Sequence, residues 1–254
     1  MKHEFYREYY NQERSHWWFK AREAILCGYI RKMQSASQLP PSPLKILNVG
    51  CGPGRSSQYL SKFGEVISVE YDKHCCEFAS ELTGLEIQHG SITELQFPDE
   101  SFDLVCAFDV IEHVEDHVLA VSELKRVAKR GANVLITVPA FMSLWSHHDV
   151  INHHFRRYSM PQVQKLFEDV SDGKRLYASY FNFFLFLPIY AFRMVGNLLK
   201  LGKKRKGSGS DGEVFNPGIV NSALYWVMRP EGWLMNTGIR FPFGVSIIYS
   251  WQKR

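Results

Sequence analysis

The chain has 254 residues, 45% of them hydrophobic and 22% charged, which excludes an intrinsically disordered polymer and allows one domain with a sizeable core. A formal charge of +4 permits an anionic partner without requiring one. Five scattered cysteines without C-x-x-C spacing argue against a disulfide framework, and the polar, aromatic opening lacks a signal peptide's apolar core, so a cytoplasmic location is expected.

Residues 13 to about 33 read as one helix, with Trp18, Ala21, Ile25, Tyr29 and Met33 at helical spacing. The Pro/Ser stretch at 35–43 ends it, because proline lacks an N–H and constrains its predecessor. Strands at 44–49, 65–70, 85–89, 102–108 and 132–138 then alternate with helices near 55–63, 73–82 and 116–129. Such alternation specifies a parallel sheet covered on both faces, with a ligand at the carboxyl ends of the strands. Beyond Pro139, a His-rich stretch (146–158) leads to a helix near 160–169 and a strand near 174–180. An apolar aromatic run (181–192) precedes a basic, low-complexity loop around 202–213. A helix at about 219–236 and a strand within 243–251 close the chain. The expected organisation is one domain: a helical cap and linker (1–43), a cofactor-binding core (44–180), a helical insertion (181–240) and a final strand (241–254).

In "ILNVGCGPGRSS", Gly50, Gly52 and Gly54 follow an apolar strand at alternate positions. Glycine allows positive φ and admits a ligand where a Cβ would collide, so the loop reads as a ligand cradle. It departs from the dinucleotide pattern G-x-G-x-x-G, because the third glycine comes one residue early and Arg55 takes its place. Pro53 also removes an amide that a phosphate would use, so a ligand without phosphate fits better. Glu70, at the end of "VISVE", is placed to accept hydrogen bonds from both hydroxyls of a ribose.

Four segments in register, "ILNVGCGPG", "VISVEYD", "HGSITELQFPDESFDLVCAFDVIEHV" and "ELKRVAKRGANVLITVP", resemble the class I S-adenosylmethionine-dependent methyltransferases, especially small-molecule members. The resemblance spans about 44–139. The whole chain is also similar to bacterial members of unassigned substrate that share a "WWFKAR" opening and an H-x-R-R-Y loop. The family implies a doubly wound, mostly parallel seven-stranded sheet with an antiparallel last strand, and S-adenosylmethionine as cofactor, with S-adenosylhomocysteine as product. It also implies that Gly50, Cys51 and Gly52 lie against the methionyl part, with Glu70 on the ribose and Tyr71 beside the adenine. Ser91 and Ile92 would flank the adenine edge, and Phe108 and Asp109 would face the methyl group. Asn48 occupies a cofactor-site position where the family usually has an acid, Ser91 replaces a frequent Asp, and "KRGAN" stands for the usual "KPGG" in a surface turn.

Methyl transfer from a sulfonium is an in-line displacement needing no covalent nucleophile, so none is assigned to Cys51 or Cys106. A base helps if the acceptor is a hydroxyl. The candidates are His147, Asp149 and His113, while Arg156, Arg157 and Tyr158 are candidates for gripping the acceptor. His147, His148, Asp149, His153 and His154 carry metal-binding atoms, but their spacing matches no zinc signature and no metal is assigned. Trp17, Trp18 and Arg22 either close over the cofactor or pack on the sheet.

Nucleic acid is not an expected partner. Where amino-methylating nucleic-acid enzymes carry [DNS]-P-P-[YF], this chain reads "FDVIEH", and the basic run at 203–206 lacks interleaved aromatics. The segment 181–206 is apolar and then basic: either a lid helix or a peripheral contact with an anionic membrane. These features together imply methyl transfer, at oxygen rather than elsewhere, to a small-molecule or lipid- or carrier-linked acceptor. The alternatives are a non-catalytic, cofactor-binding partner of a membrane or glycan enzyme and, more distantly, an NAD oxidoreductase.

Overall fold

The computed structural model describes residues 2–167, 172–198 and 218–254. The low-complexity segment at 202–213 and the basic run at 203–206 lie outside the described residues. Seven strands, β1 (Leu44–Val49), β2 (Gly64–Glu70), β3 (Ile87–His89), β4 (Phe102–Phe108), β5 (Ala128–Pro139), β6 (Gly173–Phe181) and β7 (Ser246–Lys253), form one sheet in the order β3-β2-β1-β4-β5-β7-β6. β7 runs antiparallel to both β5 and β6, and the remaining pairings are parallel. The central strands are near-continuous apolar runs because both faces are covered. In β1, LKILNV, Lys45 is the sole exposed position, and every β4 residue but Asp103 is buried. The order reverses between β1 and β4, so their carboxyl ends open the crevice in which a ligand sits.

β1 and β2 pair with Leu44 opposite Gly64. A Cβ built on Gly64 would lie 2.0 Å from the Leu44 carbonyl oxygen and 2.4 Å from its nitrogen, so the obstacle is backbone that cannot rotate away. Gly64→Ala should therefore cost about 3 kcal/mol or more, the upper range for overpacking. The melting temperature should fall by about 6–12 °C, at 2–4 °C per kcal/mol for a chain of this size. A thermal scan showing a shift below about 2 °C would contradict this packing.

The amino-terminal region is two helices, α1 (Lys2–Ser15) and α2 (Trp17–Ser35), and this corrects the single helix expected from 13 to 33. His16 breaks the run with extended backbone (φ −73°, ψ 135°) and caps α2 by accepting from the Trp18 amide. The break is held from far away: Asn221 accepts from the Trp17 amide (2.6 Å) and donates to the Ser15 carbonyl (2.9 Å). α1 is polar, yet it docks through Tyr6, whose hydroxyl donates to Asp72 (2.9 Å), and Tyr10, whose hydroxyl donates to Gln58 (2.7 Å).

The helices expected after β1, β2 and β4 are α3 (Arg55–Leu60), α4 (Lys73–Thr83) and α5 (His117–Val127). β5 starts earlier than expected. Phe102 pairs with Ala128 and Leu104 with Asn133, so the intervening residues bulge around Gly131 (φ +78°), and "KRGAN" is a strand bulge rather than a plain turn. Two short helices follow, α6 (His147–Ile151) and α7 (Met160–Phe167). The aromatic run at 181–192 is not one element: β6 ends at Phe181, and α8 spans Phe186–Leu198. The last helix, α9 (Gly218–Asn236), crosses α2 closely at two glycines. A Cβ on Gly28 would stand 2.5 Å from Asn236 Nδ2, and one on Gly232 would stand 3.3 Å from Ile25 Cγ1. The opposite side of α9 carries Ile219, Trp226 and Trp233, which are 88%, 60% and 68% exposed and recur every two turns on one stripe.

Candidate active site

A cavity of about 560 Å³ lies over the carboxyl ends of β1 and β4, closed by α1, α2, α8 and α9. Its floor is the loop after β1, where Gly50 (φ +67°) and Gly52 (φ +53°) adopt the left-handed region. Their reasons differ. A Cβ at Gly50 would meet Val110 Cγ2 at 2.5 Å, whereas one at Gly52 would meet nothing nearer than Tyr9 at 4.0 Å, so Gly52 leaves its space to the cavity. Glu70 fixes the loop: Oε2 accepts from the Gly52 amide (2.8 Å), and Oε1 accepts from the amides of Tyr71 (2.8 Å) and Asp72 (3.1 Å). Asn48 is buried behind the loop and donates to Ser56 (2.8 Å) and Ser57 (3.1 Å), tying β1 to the first turn of α3. The Cys51 thiol is buried and its pKa is pushed well up by that burial, so it stays protonated.

Tyr71 stands in solvent beyond the tip of β2. Ser91 shares a hydrogen bond with the Thr93 hydroxyl (2.8 Å), and Ile92 is packed into the core. These three lie on the β2–β3 side, outside the cavity lining, whereas Gly50, Cys51, Gly52, Phe108 and Asp109 line it.

The wall facing the loop comes from α1 and α2. Trp17, Trp18 and Arg22 all line the cavity. Arg22 stacks over Trp18, 4.5 Å from the ring centroid, and its guanidinium forms an ion pair with Asp109 at the tip of β4. Burial disfavours the Arg22 charge, but Asp109 outweighs it and raises the pKa. Asp109 itself holds φ +56°, a left-handed conformation that aspartate tolerates better than most residues. Glu13 on α1 is buried, with Oε2 unpartnered, and burial pushes its carboxyl up to about 8 against the pull of Arg22 and Arg55.

At the far end, Glu112 and His113 sit on a short 3-10 turn after β4 (Ile111–His113). Glu112 is fully buried, and neither carboxylate oxygen has a hydrogen-bond partner among the described residues. Burial first, then Asp109, pushes its pKa well up. His113 faces the cavity; desolvation by the surrounding protein, aided by His154, lowers its pKa to about 4 and keeps it neutral.

The 146–158 segment forms a knot beneath these residues. Asp149, completely buried, accepts from the Ser146 amide (2.8 Å), His154 Nδ1 (2.8 Å) and Arg157 Nε (2.7 Å). Burial opposes its ionisation, but His154, Arg157 and Ser146 hold the carboxyl well below the usual range. Its lone pairs are committed to protein donors, and neither it nor His147 lines the cavity. Arg156 spends its guanidinium on the carbonyls of Val114 (3.0 Å) and Glu115 (2.9 Å), and the buried Tyr158 hydroxyl pairs with His117 Nδ1 (2.8 Å). Of the three residues expected to grip an acceptor, Arg157 is the one that reaches the cavity.

Sequence reasoning missed Glu13, Glu112 and Asn182, whereas the lid helix it offered within 181–206 corresponds to α8. An acid interrupting the apolar "DVIEHV" was the available signal for Glu112, and Glu13 had none. Among the described residues, Glu13, His16, Trp17, Glu112 and Asn182 line the cavity and bear buried polar atoms with no hydrogen-bond partner. That mix of donors and acceptors, beside an open glycine floor, fits a polar zwitterionic nucleoside cofactor.

A glycine loop at this switch point, a carboxylate at the tip of β2 and a sheet of this order define the class I S-adenosylmethionine-dependent methyltransferases. Residues 47–136, about a third of the chain, match the family profile described as a methyltransferase domain, and that segment is a methyltransferase domain of the class that uses S-adenosylmethionine as cofactor. An uncharacterized methyltransferase of Schizosaccharomyces pombe is 38% identical over 105 residues, 35% of this chain and 38% of that protein. The demethylmenaquinone methyltransferase of Staphylococcus aureus strain MRSA252 is 30% identical over 155 residues, 55% of this chain and 61% of that protein. The chain thus spans less than two thirds of either relative. The YcgJ protein of Bacillus subtilis shares the fold with a TM-score of 0.53 at 17% identity, over 87% of this chain and 94% of that one.

Proposed function

We propose that the chain transfers a methyl group from S-adenosylmethionine to an oxygen of a small-molecule or lipid-linked acceptor. The observation that carries this reading is one cavity shared by the glycine loop and an apolar wall of Leu185, Ile189, Phe192 and Leu224. When bound, the cofactor supplies an electrophilic methyl on a sulfonium. The Gly50–Gly52 backbone and Glu70 would hold its methionyl and ribose parts, and α1 and α2 exclude water above it. Aligning an acceptor oxygen in this enclosure supplies up to about 7–11 kcal/mol of the barrier. His113 lines the cavity wall beside this space, its pKa lowered by burial and by His154.

Two observations favour a lipid-linked acceptor. The α8 wall is apolar, and Trp226 and Trp233 stand exposed on α9, where tryptophan suits a headgroup interface. Among the described residues no helix is long and apolar enough to cross a membrane; the contact proposed is a peripheral one, at a cytoplasmic face. The relative named for demethylmenaquinone makes a ring acceptor the first to try. The test is label transfer from methyl-tritiated cofactor to phenols with and without isoprenoid tails, presented in anionic vesicles. Label should enter the tailed phenols preferentially. Cofactor binding with no transfer to any acceptor would instead make the chain a non-catalytic partner.

A further inference from the structure

We propose that Glu112, His113 and His154 form a binding site for a divalent first-row transition-metal ion at the acceptor end of the cavity. One donor atom from each, an imidazole nitrogen from the two histidines and a carboxylate oxygen from Glu112, lies within 4.8 Å of the others. A tetrahedral shell with bonds of about 2.1 Å sets its ligand atoms roughly 3.4 Å apart, which small side-chain rotations would reach. The three come from two segments that the backbone fastens together, since the Phe155 amide donates to the Glu112 carbonyl (2.8 Å). The rings of His113 and His154 stand edge to face with centroids 4.6 Å apart.

Two independent features point to an ion. Glu112 is completely buried with both oxygens unpartnered, and a buried carboxylate is otherwise compensated by a cation or hydrogen bonds. His154 also already has the partner that metal-bound histidines use. Its Nδ1–H donates to the ionised Asp149, which leaves the Nε2 lone pair for a ligand, and Arg157 braces Asp149 from the other side. Two imidazoles and a carboxylate make a His2Glu set with a fourth position open to the cavity, suited to Zn²⁺ and its neighbours. Asp149 is then a positioning residue. On the methyl-transfer reading above, the open position would bind the acceptor oxygen and lower its pKa.

Untagged full-length protein, stripped with chelator, is dialysed against Zn²⁺ and separately Co²⁺, and bound metal is measured by mass spectrometry and visible absorption. A single ion per chain is expected. Glu112→Gln and His154→Ala should each weaken it at least about tenfold, Asp149→Asn should weaken it roughly 10–100-fold, and His74→Ala, on the surface of α4, should match the parent. Binding of S-adenosylhomocysteine by each variant shows that the fold and cofactor site persist, which separates failure of the metal site from failure of the methyltransferase reading. Should a variant not fold, pulsed paramagnetic resonance on the Mn²⁺ form of the parent looks for imidazole nitrogen coupling directly. No stoichiometric ion, binding that survives both Glu112→Gln and His154→Ala, or the absence of nitrogen coupling overturns the site.

Discussion

Replacing Glu70 with alanine is expected to weaken S-adenosylhomocysteine binding by about two orders of magnitude while the protein remains folded. The carboxylate holds the amides of Gly52, Tyr71 and Asp72 in one shape, and a hydrogen bond to a charged acceptor contributes roughly 1.5–3 kcal/mol. The alanine variant loses this scaffold together with the oxygens proposed to accept from the ribose hydroxyls. A net loss of about 2.7 kcal/mol corresponds to about a hundredfold, since each 1.4 kcal/mol is tenfold. Glu70→Gln keeps one acceptor oxygen and should fall between the two. Calorimetric titration decides it: an alanine variant that binds within about threefold of the parent would remove Glu70 from the cofactor site.

Arg22→Ala is the second large effect. The Arg22 side chain is 9% exposed and the Asp109 side chain 21%, so their ion pair is mostly desolvated. Removing one partner of a buried pair costs roughly 3–5 kcal/mol. The melting temperature should drop by about 6–20 °C at 2–4 °C per kcal/mol. Lysine should rescue poorly, because it offers no planar face to Trp18 and no guanidinium fork to Asp109. Adding Asp109→Asn to Arg22→Ala should recover part of the loss, because no unpaired charge is left behind; strict additivity in that double-mutant cycle would refute the coupling.

The glycine loop and the strand-end acid at the crevice were legible because their parts are contiguous: an apolar strand, a glycine run and a terminal acid each announce themselves within ten residues. β1 and β4 appear at the expected positions since their burial on both faces dictates unbroken apolar runs. The rest of the cavity was harder to read because it draws on Glu13, Glu112, Asn182 and Ile189, whose neighbours in sequence say nothing of their neighbours in space. The helix break at His16 failed for the same reason: no proline or glycine marks it, and its stabilising partner, Asn221, arrives two hundred residues later. The two tyrosines that dock α1 do so through hydroxyls, so the helix shows little apolar stripe to read.

That same asparagine has a kinetic consequence. Asn221 belongs to α9, whose Leu224 lines the apolar wall, and it grips the joint between α1 and α2, which close the cavity over the glycine loop. On the proposed methyl-transfer reading, lifting the α1–α2 roof to exchange the nucleoside would pull on the wall beside the acceptor. Ordered turnover, nucleoside in first and out last, is then the expected result, and product-inhibition kinetics check it.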